Sequence, residues 1–166
     1  MAHSRTRWGV DDTGQFLSRA IASGIPAGLA AGVWGALFSG LRGLPWWSAL
    51  AMYTSHLGGV SPKPVVAHGL VGAVTSGLVW LVLLGMALGA VYGLLAGVAA
   101  PSPFDRWRMA AIGLLFGLVV YGLAWSWRVS LLPGPFDLRL PGFADALAMG
   151  LMGAVIGACA SVPEQR

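Results

Sequence analysis

An all-α, polytopic membrane bundle of four spans is the fold class this sequence predicts, on three observations. The 166-residue chain is 57% hydrophobic and only 10% charged, about half the charged fraction of an ordinary soluble domain. Residues Val65 to Ala99 hold no Asp, Glu, Lys or Arg. As a helix rising about 1.5 Å per residue they would extend roughly 50 Å, against a hydrocarbon core of about 30 Å. Glycine is the third signal. Its 25 residues are roughly twice the ordinary usage, and they recur at helical steps inside the apolar runs. Gly-rich and apolar together mean helices packed in lipid, because a disordered chain is polar.

Each element follows from local signals. Residues 1–19 form a polar tail with Arg5, Arg7, Arg19, Asp11 and Asp12, and a surface helix is expected over Asp12 to Ser18. Ala20 to Leu41 is the first span; it exceeds the roughly 7–15 residues of a signal-peptide core, so a retained helix is expected. Gly24, Gly28 and Gly32 share one of its faces. Pro26 is expected in its first turns, where a missing donor costs least. Arg42 ends the span. Within the long connection 42–64, a short helix over about 46–57, with Ser48 to Leu57 as its body, should stop at Gly58-Gly59. Trp46 and Trp47 suit the headgroup layer, so this helix is expected to lie on or dip into the interface.

The second span covers 65–99. Its glycines Gly85, Gly89, Gly93 and Gly97 lay a groove without side chains along one face. Pro101 and Pro103 close it. The third span, about 109–128, carries Gly113 and Gly117, with Trp125, Trp127 and Arg128 at its far end. Pro133-Gly134-Pro135 stops the chain before the fourth span, about 143–161, with Gly150, Gly153 and Gly157. Asp145 near its start would favour the positive end of the helix dipole. All of this reads as one membrane domain over residues 1–166.

The glycine faces have two readings, a close-packed seam within the chain or a face pairing two copies. An internal repeat bears on the architecture. Leu44 to Met52 resembles Leu140 to Met149, Gly69 to Val74 resembles Gly150 to Val155, and Gly28 and Gly32 match Gly113 and Gly117. Spans one and two would then correspond to spans three and four about a pseudo-twofold axis along the membrane normal.

Chemistry-bearing residues are sparse. His56 and His68 could join Asp145 or Asp137 in a metal site, but histidines at loop and helix ends ordinarily bond water or backbone, so no metal is expected. Haem needs facing axial ligands, and only His68 could serve, so no cofactor is expected. The serines lack a histidine or carboxylate pattern, and Cys159 reads as a packing residue. No phosphate-loop, zincin or nucleophile-elbow motif occurs. The expectation is a protein that is not an enzyme. Its net charge of +4 is spread thinly, which argues against nucleic acid as a partner.

A family resemblance adds to this. Pro133-Gly134-Pro135-Phe136-Asp137-Leu138 and Pro141 precede an acidic residue that opens the fourth span. Ala67-His68-Gly69 stands near the start of the second span, and Gly89-Ala90-Val91-Tyr92-Gly93 near its end. In these features the chain resembles the YagU-like group of small bacterial inner-membrane proteins. The histidine departs from the group's pattern, since it precedes a glycine here and is expected to follow one. The resemblance implies four spans in a bacterial inner membrane and supplies no catalytic residues.

The expected role is therefore accessory. The chain would pack against a membrane-protein partner or a second copy, or hold lipid or another hydrophobic molecule. Trp46, Trp47, Trp125, Trp127, Arg128, Arg139 and Asp145 are candidates for headgroup or partner contact, because arginine suits bidentate phosphate binding and aromatic rings suit the interface. The alternative is a small transporter or permease component for a neutral solute. Six basic residues (Arg5, Arg7, Arg19, Arg106, Arg108, Arg166) fall on the side of the termini and four (Arg42, Lys63, Arg128, Arg139) on the other. The bias predicts both termini in the cytoplasm. With Cys159 changed to Ala, a cysteine near Arg5 or Gln165 should resist an impermeant thiol reagent in intact cells, and one near Lys63 or Arg139 should react. Labelling of both termini from outside would reverse the orientation.

Overall fold

A computed structural model describes residues 10–57, 70–99, 106–126 and 141–161. Five helices cover most of these residues: α1 Val10–Leu41, α2 Ser48–Leu57, α3 Leu70–Ala99, α4 Arg106–Ser126 and α5 Pro141–Ala160. Four of them, all but α2, are long and apolar enough to cross a membrane, and no strand occurs among the described residues. The chain is thus an all-helical protein with the composition of a multi-pass membrane protein.

Helix ends follow local chemistry. Gly43 has φ +71°, the left-handed conformation that glycine adopts without a Cβ clash. Leu44 N–H donates to the Ser39 carbonyl and Gly43 N–H to that of Gly40, the paired bonds of a Schellman cap. Pro141 opens α5, where its missing N–H would be unpaired in any case. At the other end of the chain the surface helix expected over Asp12 to Ser18 is continuous with the first span. Nothing between Ser18 and Ala20 breaks a helix, so Arg19 lies on its surface. Pro26 consequently falls mid-helix rather than in the first turns. A membrane helix tolerates this where neighbouring helices and side chains satisfy the freed backbone groups.

Packing is organised as two antiparallel hairpins, α1 with α3 and α4 with α5, joined through α1 and α5. Within each hairpin the backbones touch. A Cβ on Gly24 would collide with the backbone of Gly85 and Met86, and one on Gly28 would lie 2.5 Å from the Leu81 carbonyl oxygen. Gly89 faces the Ala20 carbonyl, and Gly93 faces Ala20 and Leu17. In the second hairpin, Gly113 faces Gly153, Gly117 faces the Met149 carbonyl, and Gly157 faces that of Met109. The two seams therefore share a register. Ala20–Gly89, Gly24–Gly85 and Gly28–Leu81 in one correspond to Met109–Gly157, Gly113–Gly153 and Gly117–Met149 in the other. That register sets Gly24 and Gly28 against Gly113 and Gly117, one turn away from the pairing read in the sequence, and sets Gly85 against Gly153, where the sequence repeat places Gly72, 13 residues earlier.

The hairpins meet differently. Alanine and methionine fill the joint, with Ala27 and Ala31 of α1 in one buried cluster with Ala148, Met149 and Met152 of α5. Helices α3 and α4 meet through Tyr92, whose ring stands edge-on to Phe116 at 5.4 Å and whose hydroxyl donates to the Met109 carbonyl at 3.2 Å. A pseudo-twofold axis would make the α3/α4 contact equal to the α1/α5 contact, and the latter is far more extensive.

Helix α2 lies along α3. The Leu50 carbonyl fills the notch at Gly77, and Leu50 Cδ2 lies 3.7 Å from the Cβ position of Gly32. Thr54 Oγ1 donates to the Ala73 carbonyl at 2.9 Å. Gly32 stands nine residues before Leu41, so the first turn of α2 dips about 13 Å below the end of α1.

The seams make a sharp prediction about alanine. Gly113→Ala should destabilise the protein in detergent by about 1–3 kcal/mol, because the methyl meets backbone that cannot repack. A Cβ on Gly122 of the same helix meets nothing within 4 Å, so Gly122→Ala should be neutral or stabilising by up to about 1 kcal/mol. Thermal unfolding of the two variants decides it; equal melting temperatures would mean the α4/α5 seam is not closed.

Candidate functional site

The α2 end of the bundle, where α1 and α4 finish and α3 and α5 begin, gathers the polar side chains that the seams do not use. Three residues on α1 start the arrangement. Trp34, Phe38 and Arg42 are spaced four apart, so they stack along one helix face. The rings of Trp34 and Phe38 lie 6.3 Å apart at 28°. The Arg42 guanidinium sits over Phe38, 5.3 Å from the ring centre. At the lower end of this ladder Trp34 Nε1 donates to the Ala144 carbonyl at 3.3 Å, which ties α1 to the first turns of α5.

The next residue is Asp145, only 9% exposed. Across the α4/α5 seam it is close enough to Tyr121 to interact electrostatically. Among the described basic residues, Arg19, Arg106 and Arg108 lie toward the opposite end of the bundle, and Arg42 lies on Phe38. Ser39, beside Phe38, is fully buried, and its hydroxyl has no hydrogen-bond partner. By contrast Ser23 bonds back to the Ala20 carbonyl at 2.6 Å and Thr75 to that of Val71 at 2.8 Å. What this end offers chemically among the described residues is an aromatic ladder, a buried carboxylate and a buried hydroxyl, with no adjacent nucleophile–base pair among them.

Each residue singled out in the sequence can now be placed. Gly24, Gly28, Gly85, Gly89 and Gly93 lie in one seam and Gly113, Gly117, Gly153 and Gly157 in the other. Gly32 faces the Leu78 side chain, and Gly150 makes ordinary contact with Leu118. Gly97 stands in the last turn of α3, outside the residues whose packing is described. Trp46 is half exposed, and Trp47 packs on Ala51 and Ala73. Asp145, expected at a surface, is instead enclosed by helices. The side chains of His56 and Trp125, and residues His68, Trp127, Arg128, Asp137 and Arg139, lie outside the described residues. Among the described residues no three His, Cys, Asp or Glu side chains come together.

Sequence reasoning passed over Gly77, Trp34 and Ser39. Gly77 belongs to the same four-residue series as Gly85, interrupted by Leu81. The i, i+4, i+8 spacing of Trp34, Phe38 and Arg42 was a readable signal. Ser39 carried none, since burial without a partner is a tertiary fact. No family model matches the chain, and no curated protein or solved structure matches it either.

Trp34 and Tyr92 each donate a hydrogen bond from one hairpin to the other, and the removal of these bonds is measurable. Trp34→Phe and Tyr92→Phe each keep an apolar ring and delete one donor. Each should lower stability in detergent by about 0.5–1.5 kcal/mol. They sit at opposite ends of the bundle, so the double variant should be additive within about 0.5 kcal/mol. Wild-type melting in both single variants would show that these bonds do not hold the hairpins together.

Proposed function

We propose that this chain is a non-enzymatic protein of a bacterial inner membrane, with both termini cytoplasmic, that serves as an accessory subunit. It presents helix faces to a membrane-protein partner or a second copy, or holds lipid or another hydrophobic molecule against them. The observation that carries this reading is the state of α4. It is the least enclosed of the four candidate spans, and its closest backbone packing is against α5. Leu115, Val119 and Leu123 project from it at four-residue spacing, each more than half exposed. With the Gly85–Gly93 face occupied by α1, α4 is the more suitable surface for another helix. The likeness to the YagU-like group is consistent with this role.

Trp46, Trp47, Trp125, Trp127, Arg128 and Arg139 would supply headgroup contacts, with arginine contributing paired hydrogen bonds to phosphate. A second reading, a small transporter or permease component, draws support from the buried Asp145, because ionisable residues within membrane spans commonly mark solute routes.

The test is purification in mild detergent followed by native mass spectrometry. A stoichiometric protein or lipid should accompany the wild type. Replacing Leu115 and Val119 together by Ala should release a protein partner without changing the melting temperature, and Arg128→Gln with Arg139→Gln should release an anionic lipid. A wild-type chain that carries neither, from its native membrane, would sink the accessory reading.

A further inference from the structure

We propose that the α2 end of the bundle binds a lipophilic organic cation, its charge set against Asp145 and its body against the rings of Trp34, Phe38 and Tyr121. This goes beyond the accessory role and does not depend on it.

Three independent observations point to a cation. The first is electrostatic. Asp145 is enclosed by helices within a candidate span, and no described basic side chain is placed to pair with it. A carboxylate in such surroundings is expensive to hold and marks a functional position. The second is that the ladder already carries a cation. The Arg42 guanidinium lies over Phe38 in cation–π geometry, so the outermost ring shows the attraction that a ligand would use further in. Trp34, whose indole is the strongest cation–π partner among side chains, stands between that ring and Ala144, the neighbour of Asp145. The third is Ser39, whose fully buried hydroxyl at this same end of α1 has no hydrogen-bond partner. Buried hydroxyls are ordinarily satisfied, and here an acceptor oxygen is left over.

The chemistry sets the ligand class. Aromatic faces and one carboxylate favour a monovalent cation whose charge is spread over an apolar body, because such an ion loses little hydration on entry. A compact inorganic ion would need several oxygen ligands, and no acidic cluster is present among the described residues. Tyr121 on α4 interacts with Asp145, Trp34 on α1 reaches the neighbouring Ala144 carbonyl, and Phe38 and Arg42 continue the ladder outward from Trp34. Arg42 is the one positive group among them, and it competes with an incoming cation.

The probe is tetraphenylphosphonium, titrated into the detergent-solubilised full chain by calorimetry. The control is tetraphenylborate, an anion of the same shape. The wild type should bind the phosphonium saturably and one to one, and the borate only by partition into the micelle. Asp145→Asn should weaken phosphonium binding about tenfold or more, given the strength of desolvated cation contacts, with Asp145→Glu retaining part of it. Arg42→Gln, outside the enclosed core, should tighten binding by removing the like charge. Each variant is first checked for wild-type elution volume and helicity. Absence of saturable phosphonium binding to the wild type, equal binding of the borate, or unchanged binding in Asp145→Asn would each overturn the proposal. All three outcomes leave partner capture by α4 untouched, so the two readings fail separately.

Discussion

Backbone laid directly on backbone is the contact from which the rest of this bundle follows. In lipid, two helices gain nothing by hiding apolar side chains from a solvent that is itself apolar, so association rests on close van der Waals approach and polar contacts. Glycine permits that approach by leaving room where a Cβ would stand. At Gly85, Gly89, Gly117, Gly153 and Gly157 the space is taken by a carbonyl oxygen of the facing helix. Such Cα–H···O contacts are worth about 0.5–1 kcal/mol each. Once the glycines are committed inward, the bulky residues have one place left. Ile25, Leu29, Val33 and Leu37 form an outward row on α1, and Leu115, Val119 and Leu123 do the same on α4. The outer apolar surface is thus the complement of the seams.

The joint between hairpins is of another kind. Met149 and Met152 are fully buried there, and methionine fills irregular gaps with little preference for one geometry. The polar side chains that cross it, Trp34 and Tyr92, bond to carbonyls rather than to one another. The molecule is therefore built of two stiff units on a softer surface, with the aromatic ladder and Asp145 at one end of that surface.

How much of this could be read from the sequence differs by level. The four spans were legible because their interiors lack charge, and the lengths of α3, α4 and α5 follow the apolar runs closely. Helix α1 extends beyond its apolar run because polar residues such as Asp12, Gln15 and Arg19 look like a tail but do not by themselves end a helix. The glycine faces were legible as faces, but not their partners. With small residues every four positions in all four spans, sliding one helix by a turn preserves the pattern, and only the contacts distinguish Gly24 from Gly28 as the mate of Gly113. The enclosure of Asp145 was illegible for a related reason. Its position near a helix start suggests solvent, whereas its enclosure depends on Trp34 and Tyr121, which come from distant parts of the chain.

The unequal length of the hairpins has its own consequence. The candidate spans of the first contain 28 and 26 residues and those of the second 19 and 18. At about 1.5 Å per residue these are roughly 40 Å and 28 Å of helix, the first including Gln15, Ser18 and Arg19 of α1, so the second matches an ordinary hydrocarbon core and the first exceeds it. The two are fastened side by side and cannot tilt independently. In a bilayer this mismatch would be met by thickening along the α1/α3 flank or by tilt of the whole bundle, at a cost of fractions of a kcal/mol per ångström. Such a protein is a wedge in thickness. Such a shape would favour neighbours with long spans on one flank and neighbours with short spans on the other, so hydrophobic thickness alone would sort its lateral company before any specific contact is made.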